Sequence, residues 1–184
     1  SLPELPLARA QRFQSEYGLP AYDSFVLTTE KAMADYFELV AKESKNAKAA
    51  SNWIMGELLR ELNEAKLEIE KSPVQPKHLA EMIAMIDAKE ISGKMAKDVF
   101  LEMWKTSKAP KEIVKAKGMS QITDSGAIEK LIDEVFAANA QAVTDYRGGK
   151  TKLFGFFVGA VMKASKGQAN PEMVNQLLTK KLQG

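Results

Sequence analysis

Ser92-Gly93-Lys94-Met95-Ala96-Lys97-Asp98-Val99-Phe100-Leu101-Glu102-Met103-Trp104 decides the fold class. Met95, Ala96, Val99, Phe100, Met103 and Trp104 recur at alternating steps of one and three, the repeat of one face of an α-helix, and Ser92 stands where a cap belongs. The same period extends in both directions. Toward the N-terminus it gives a helix from about Pro6 to Tyr17 stopped by Gly18, then a short segment from Pro20 to Leu27. Thr29 is expected to cap a helix bearing Ala32, Met33, Tyr36, Phe37 and Val40, and Asn46 one bearing Ala50, Trp53, Ile54, Leu58 and Leu62 that ends near Glu64. Pro73 and Pro76 break the pattern, and Leu79, Met82, Ile83 and Ile86 resume it.

Toward the C-terminus a short helix follows Pro110, covers Ile113 and Val114 and ends at Gly118. Lys117-Gly118-Met119-Ser120-Gln121-Ile122-Thr123 reads as a linker, dividing the chain into residues 1–117 and 118–184. Beyond it Ser125 is expected to cap a helix with Ile128, Leu131, Ile132, Val135 and Phe136, and Asn139 a brief one ending near Arg147 at Gly148-Gly149. Asn170-Pro171 opens a last helix with Met173, Val174, Leu177 and Leu178. Alternation of period two is nearly absent, so the fold class is all-α, with a larger helical domain and a small helical bundle after it.

Charge is distributed unevenly. Residues 1–147 hold 20 Lys plus Arg against 23 Asp plus Glu, and residues 148–184 hold six lysines against one acid, Glu172. On a continuous helix Lys152, Gly155, Gly159, Lys163 and Lys166 would line one narrow face. Lysines neutralise a polyanion, and glycines let its backbone come close. The candidate polyanion-binding set is Arg147, Lys150, Lys152, Gly155, Gly159, Lys163 and Lys166. Gly155 and Gly159 also form a small-xxx-small pair of the kind that lets two helices pack closely. Amides after Gly148-Gly149 offer a further place for one phosphate. The first glycine of a phosphate-binding loop is missing, which argues against a P-loop nucleotide site.

Other chemistry finds little support. With no cysteine there is no disulfide, thiolate zinc site or cysteine nucleophile, as suits a reducing cytoplasm, and one histidine, His78, builds no histidine-rich metal site. Glu57, Glu61, Glu64, Glu68 and Glu70 lie among basic residues at helical spacing, the mark of a solvated face. Trp53 and Trp104 fall on apolar helical faces and read as packing residues. No apolar run reaches the ~18 residues of a membrane span. The chain opens on Ser1-Leu2-Pro3 without a methionine, which suggests a processed product or part of a longer protein.

Several of these segments together resemble a known family. Leu2-Pro3-Glu4-Leu5-Pro6 with Arg9 and Arg12, Glu16-Tyr17-Gly18-Leu19, Ala34-Asp35-Tyr36-Phe37-Glu38, Ser51-Asn52-Trp53-Ile54, Ile91-Ser92-Gly93-Lys94-Met95-Ala96-Lys97-Asp98-Val99-Phe100 and Val158-Gly159-Ala160-Val161-Met162-Lys163-Ala164-Ser165-Lys166-Gly167-Gln168-Ala169-Asn170-Pro171 keep the spacing of the GatB family, the B subunits of the aspartyl/glutamyl-tRNA amidotransferases. The resemblance covers essentially the whole chain. It implies a cytoplasmic, glutamine- and ATP-dependent complex that converts Glu-tRNA(Gln) or Asp-tRNA(Asn) to the amidated species. The A and C subunits of the amidotransferase and tRNA are the implied partners, and this chain is the helical domain and YqeY-like tail that follow a catalytic cradle. ATP and magnesium would belong to that cradle, with no cofactor or catalytic residue on this chain. The family's tRNA contact agrees with the basic stripe, although Ala160 stands where the family commonly has glutamine.

Overall fold

The computed structural model describes residues 4–119 and 121–183; Ser1, Leu2, Pro3 and Gly184, and Ser120 of the linker stretch, lie outside the described residues. The described residues form helices, with one isolated parallel bridge between Ile122 and Ala169 and no other strand pairing among them. They fall into two compact units, Ser1–Ala88 with Gly93–Lys117, and Lys89–Ser92 with Gly118–Gly184.

The first unit contains α1 (Pro6–Tyr17), α2 (Ala21–Leu27), α3 (Lys31–Ser44), α4 (Ala47–Trp53), α5 (Leu59–Ala65), α6 (Pro76–Asp87), α7 (Gly93–Thr106) and α8 (Pro110–Lys117). Helix α3 packs against α4 and α6, and α7 against α6 and α8. The faces expected from the period are buried: Phe37 and Val40 on α3, Leu79, Met82 and Ile83 on α6, Val99, Phe100 and Met103 on α7. The Tyr36 hydroxyl donates to the Val74 carbonyl at 2.7 Å and ties down the proline-broken connection before α6.

Helices α4 and α5 are joined without a break by a π turn, Ile54–Leu58, in which the Leu59 amide reaches back to the Ile54 carbonyl. The spacing in the sequence accounts for it. Ala50, Ile54, Leu58 and Leu62 are each four apart, and on a helix of 3.6 residues per turn such a row drifts around the axis by about 40° a step. A wider turn resets the drift, and all four side chains are buried.

Two helix starts differ in how they are capped. The Thr29 hydroxyl, expected to cap α3, instead donates back to the Phe25 carbonyl of α2 at 3.1 Å, and α3 starts after Glu30, whose side chain makes no capping bond. Asn46 does cap α4, accepting from the Ala49 amide at 3.0 Å.

An ion-pair cluster joins α1 to α3. Glu38 accepts from Arg12 Nη1 at 2.8 Å and from the Tyr17 hydroxyl at 3.3 Å, and it also accepts from Arg9 Nη2. Arg9 reaches Asp35 at 2.6 Å, and Arg12 holds Glu4 at 2.7 Å. Burial pushes the Glu38 carboxyl up, but the hydrogen bonds and charges of the two arginines outweigh it and hold the group at about 2.

The second unit contains α9 (Ser125–Ala138), α10 (Ala140–Arg147), α11 (Phe154–Ala164) and α12 (Pro171–Gln183), with a 3₁₀ turn, Thr151–Leu153, before α11. Its core is Ile128, Ile132 and Val135 of α9, Phe157 and Val161 of α11, Ala169, and Val174, Leu178 and Leu182 of α12. Asp124 caps α9 by accepting from the Ala127 amide at 2.9 Å, so Ser125 is the first helical residue and not the cap. Asn139 likewise does not cap α10 through its side chain; its amide donates to the Val135 carbonyl at 2.8 Å and closes α9. Asn170 caps α12 through the Met173 amide at 3.0 Å. Ile122 pairs with the segment before α12, its amide on the Gln168 carbonyl at 2.6 Å and its carbonyl on the Asn170 amide at 3.0 Å.

Candidate nucleic-acid interface

The basic stripe is built from three pieces of backbone. Lys152 lies in the 3₁₀ turn, Gly155, Gly159 and Lys163 lie on α11, and Lys166 lies past its end with φ of 53°. The single continuous helix expected over these residues is therefore shorter at both ends. Gly149 bends the chain before it with φ of 108°, and Lys166 and Gly167 turn it away afterwards. The Gly167 amide closes that turn on the Met162 carbonyl at 2.7 Å.

Helix α11 is oriented by its opposite side. Phe157 is fully buried and meets Phe136 edge-on at 5.3 Å and Tyr146 at 6.3 Å. Val161 is buried one turn later. That seats the apolar stripe against α9 and α12 and leaves Gly155 and Gly159 exposed. A Cβ built on either glycine would meet nothing within 4 Å. No described helix of this unit occupies the small-xxx-small face, so the close helix crossing that the pair permits is not made inside the bundle. Two glycines in an exposed helix each cost about 1 kcal/mol relative to alanine.

The candidate cations divide into two groups. Lys150 is spent locally, with Nζ 2.8 Å from Asp145 Oδ2. Hydrogen bonds from Lys150 and then Gln141 hold that carboxyl below its ordinary range. Arg147 donates to the Lys181 carbonyl at 3.1 Å, and Lys181 pairs with Asp133 at 2.5 Å. Lys152, Lys163 and Lys166 are exposed and make no ion pair among the described residues. Lys163 sits in the last turn of α11, where a cation also complements the helix dipole.

Four amides at and after Gly148-Gly149 are bonded locally. Those of Gly148, Gly149, Lys150 and Thr151 donate to the carbonyls of Thr144, Tyr146, Asp145 and Gly149 at 2.9–3.0 Å. Phe156, which the charge pattern does not single out, also belongs to this face. It is 47% exposed, while Phe154 and Phe157 on either side pack into or against the core. Only one of two adjacent phenylalanines can face the bundle, and the period of the neighbouring apolar residues selects Phe157.

Elsewhere, the described residues contain no group of three or more His, Asp or Glu that could hold a metal, and no helix is long and apolar enough to cross a membrane. A groove of about 450 Å³ in the first unit is lined by Glu102, Lys108, Ile113 and Lys117, and its Glu102 is neutralised by Lys117 at 3.1 Å. These features define an all-α chain that presents an open cationic face.

The chain belongs to the GatB domain family, which matches residues 35–182. It is 64% identical over 182 residues to the B subunit of the aspartyl/glutamyl-tRNA(Asn/Gln) amidotransferase of Bdellovibrio bacteriovorus, covering 98% of this chain and 38% of that protein. The proteins of the same name from Geotalea daltonii and Geobacter sulfurreducens are 56% and 55% identical, each over 100% of this chain and 38% of their own length. The chain thus spans about two fifths of the relatives it matches.

Proposed function

We propose that the chain is the C-terminal region of an amidotransferase B subunit and holds tRNA while chemistry proceeds in the remainder of the parent protein. One observation carries this reading: Lys152, Lys163 and Lys166 stand without ion partners among the described residues around an open, glycine-floored face, in a stretch from 148 to 184 that holds one acid. Phosphates at the two ends of α11 would take the lysines, and Gly155 and Gly159 would let the RNA backbone lie close. Arg147 and Lys150 would contribute only by leaving their present partners. Phosphate contacts position an RNA without reading its bases, so discrimination would come from shape.

In this proposal the activity is that of a glutamine-dependent ligase acting on Glu-tRNA(Gln) or Asp-tRNA(Asn), in company with the A and C subunits. ATP and magnesium are assigned to the part of the parent outside this chain. A second reading rests on the same open glycines: the face docks another protein of the complex. Changing Lys152 and Lys163 to alanine in the full complex separates the two. Loss of tRNA affinity with assembly intact supports the first, and loss of assembly with tRNA affinity retained supports the second.

A further inference from the structure

Phe156 occupies the middle of the cationic face. Counted along the chain, Lys152, Phe156, Gly159 and Lys163 are spaced four, three and four, and at 100° per residue Lys163 lies about 20° around the axis from Phe156. Gly159, between them, has no side chain to screen the ring, and no described atom outside its own helix backbone lies within 4 Å of where its Cβ would be. Phe156 is the large apolar side chain of α11 that stays out of the core, whereas Phe154, Val158 and Met162 all pack against it. Its ring is steadied by an edge contact with Phe157, centroids 5.5 Å apart and planes at 68°, while nearly half of the residue remains exposed.

A single exposed phenylalanine is ordinary on a protein surface. This one lies nearly in line with unpaired Lys163 on α11, with unpaired Lys152 in the turn just before the helix, and that combination selects the partner. The lysines call for an anion, and the ring calls for a flat π surface in the same ligand. An unstacked nucleotide supplies both, a phosphate for the cation and a base for the ring. The interior of a base-paired helix supplies only the phosphates, because its base faces are already stacked.

We propose that Phe156 stacks on an unpaired nucleobase of the RNA whose phosphates Lys152 and Lys163 hold. This rests on the RNA-binding reading and narrows it: the segment of tRNA lying on α11 is a loop or the exposed end of a stack. Stacking is tolerant of base identity, so the contact adds affinity and register without a sequence preference.

The test uses the complete amidotransferase complex and unmodified tRNA transcript, with dissociation constants measured over a range of salt for the wild type, Phe156→Leu, Phe156→Trp and the Lys152→Gln/Lys163→Gln pair. Leucine keeps an apolar side chain and removes the π face, so Phe156→Leu is expected to weaken binding on the order of tenfold without changing the salt slope. Phe156→Trp is expected to bind at least as tightly as the wild type, with the new indole fluorescence quenched by tRNA. The lysine pair is expected to lower the slope by about 1.5 to 2. Wild-type affinity in Phe156→Leu alongside a lowered slope in the lysine pair would overturn stacking and leave the RNA reading standing. No change in either variant would remove both. A loss in Phe156→Leu that tracks a lower melting temperature or failed assembly of the complex would assign the ring to structure or protein docking and overturn the stacking.

Discussion

Arg9 and Arg12 in the first unit and Lys152 and Lys163 in the second carry the same formal charge in opposite settings. The arginines are closed in by Glu4, Asp35 and Glu38, and their energy is committed to joining α1 to α3. The lysines have no acid among the described residues and lie beside glycines that offer no packing. Charge content alone does not separate these settings; what separates them is whether the fold brings an acid to the cation. The arginine cluster meets its charges inside the fold, with Arg9 Nε left buried and without a hydrogen-bond partner, while the lysine face adds little to the fold and is left open to a ligand.

The contrast can be broken at either end. The largest effect is expected from Phe157→Ala, which removes the ring that holds α11 to its bundle. A loss of about 3–5 kcal/mol would unfold so small a unit and abolish RNA binding with it, visible as lost helicity by circular dichroism. Glu38→Gln, which leaves Arg9 and Arg12 without their shared carboxylate, is expected to cost about 2 kcal/mol in denaturant unfolding and to leave RNA affinity unchanged. The sign of the pH dependence follows from the depressed carboxyl. Glu38 ionises at about 2 when folded against an ordinary 4.5, so its contribution is complete above pH 4.5 and lost as pH falls toward 2. The Glu38→Gln protein should lack that part of the acid transition.

Gly159→Ala sharpens the comparison with a smaller effect of opposite sign. Its Cβ has open space, so helix stability should rise by about 0.5–1 kcal/mol while RNA affinity falls. Higher stability with unchanged affinity would show that the glycine is not a point of close approach. Lys152→Gln comes last, with a change in stability within about 0.5 kcal/mol and its effect confined to binding.

Much of the fold is legible in the sequence because burial follows a helical period. Met95, Ala96, Val99, Phe100 and Met103 are buried as their spacing requires. The π turn is not legible as such, although the uniform steps of four from Ala50 to Leu62 are its trace. A cap is misplaced by one residue where two acceptors adjoin, as at Asp124 and Ser125, because either side chain can reach the free amides. The arginine cluster leaves no local signal, since Arg9 and Glu38 are 29 residues apart in the chain and only the α1 to α3 packing joins them. At the candidate interface, composition marks the segment but not its geometry. Local turns decide that Lys150 is paired, that the amides from Gly148 to Thr151 are bonded locally, and that Phe156 faces outward.

The central claim is that Lys152, Lys163 and Lys166 meet phosphates. The most direct measurement is the salt dependence of tRNA binding by the full complex, with and without Lys152→Gln, Lys163→Gln and Lys166→Gln together. The slope of log affinity against log salt should fall by about 2 to 3, or about 0.7 to 0.9 for each phosphate no longer neutralised. An unchanged slope in a folded, assembled complex would contradict the claim.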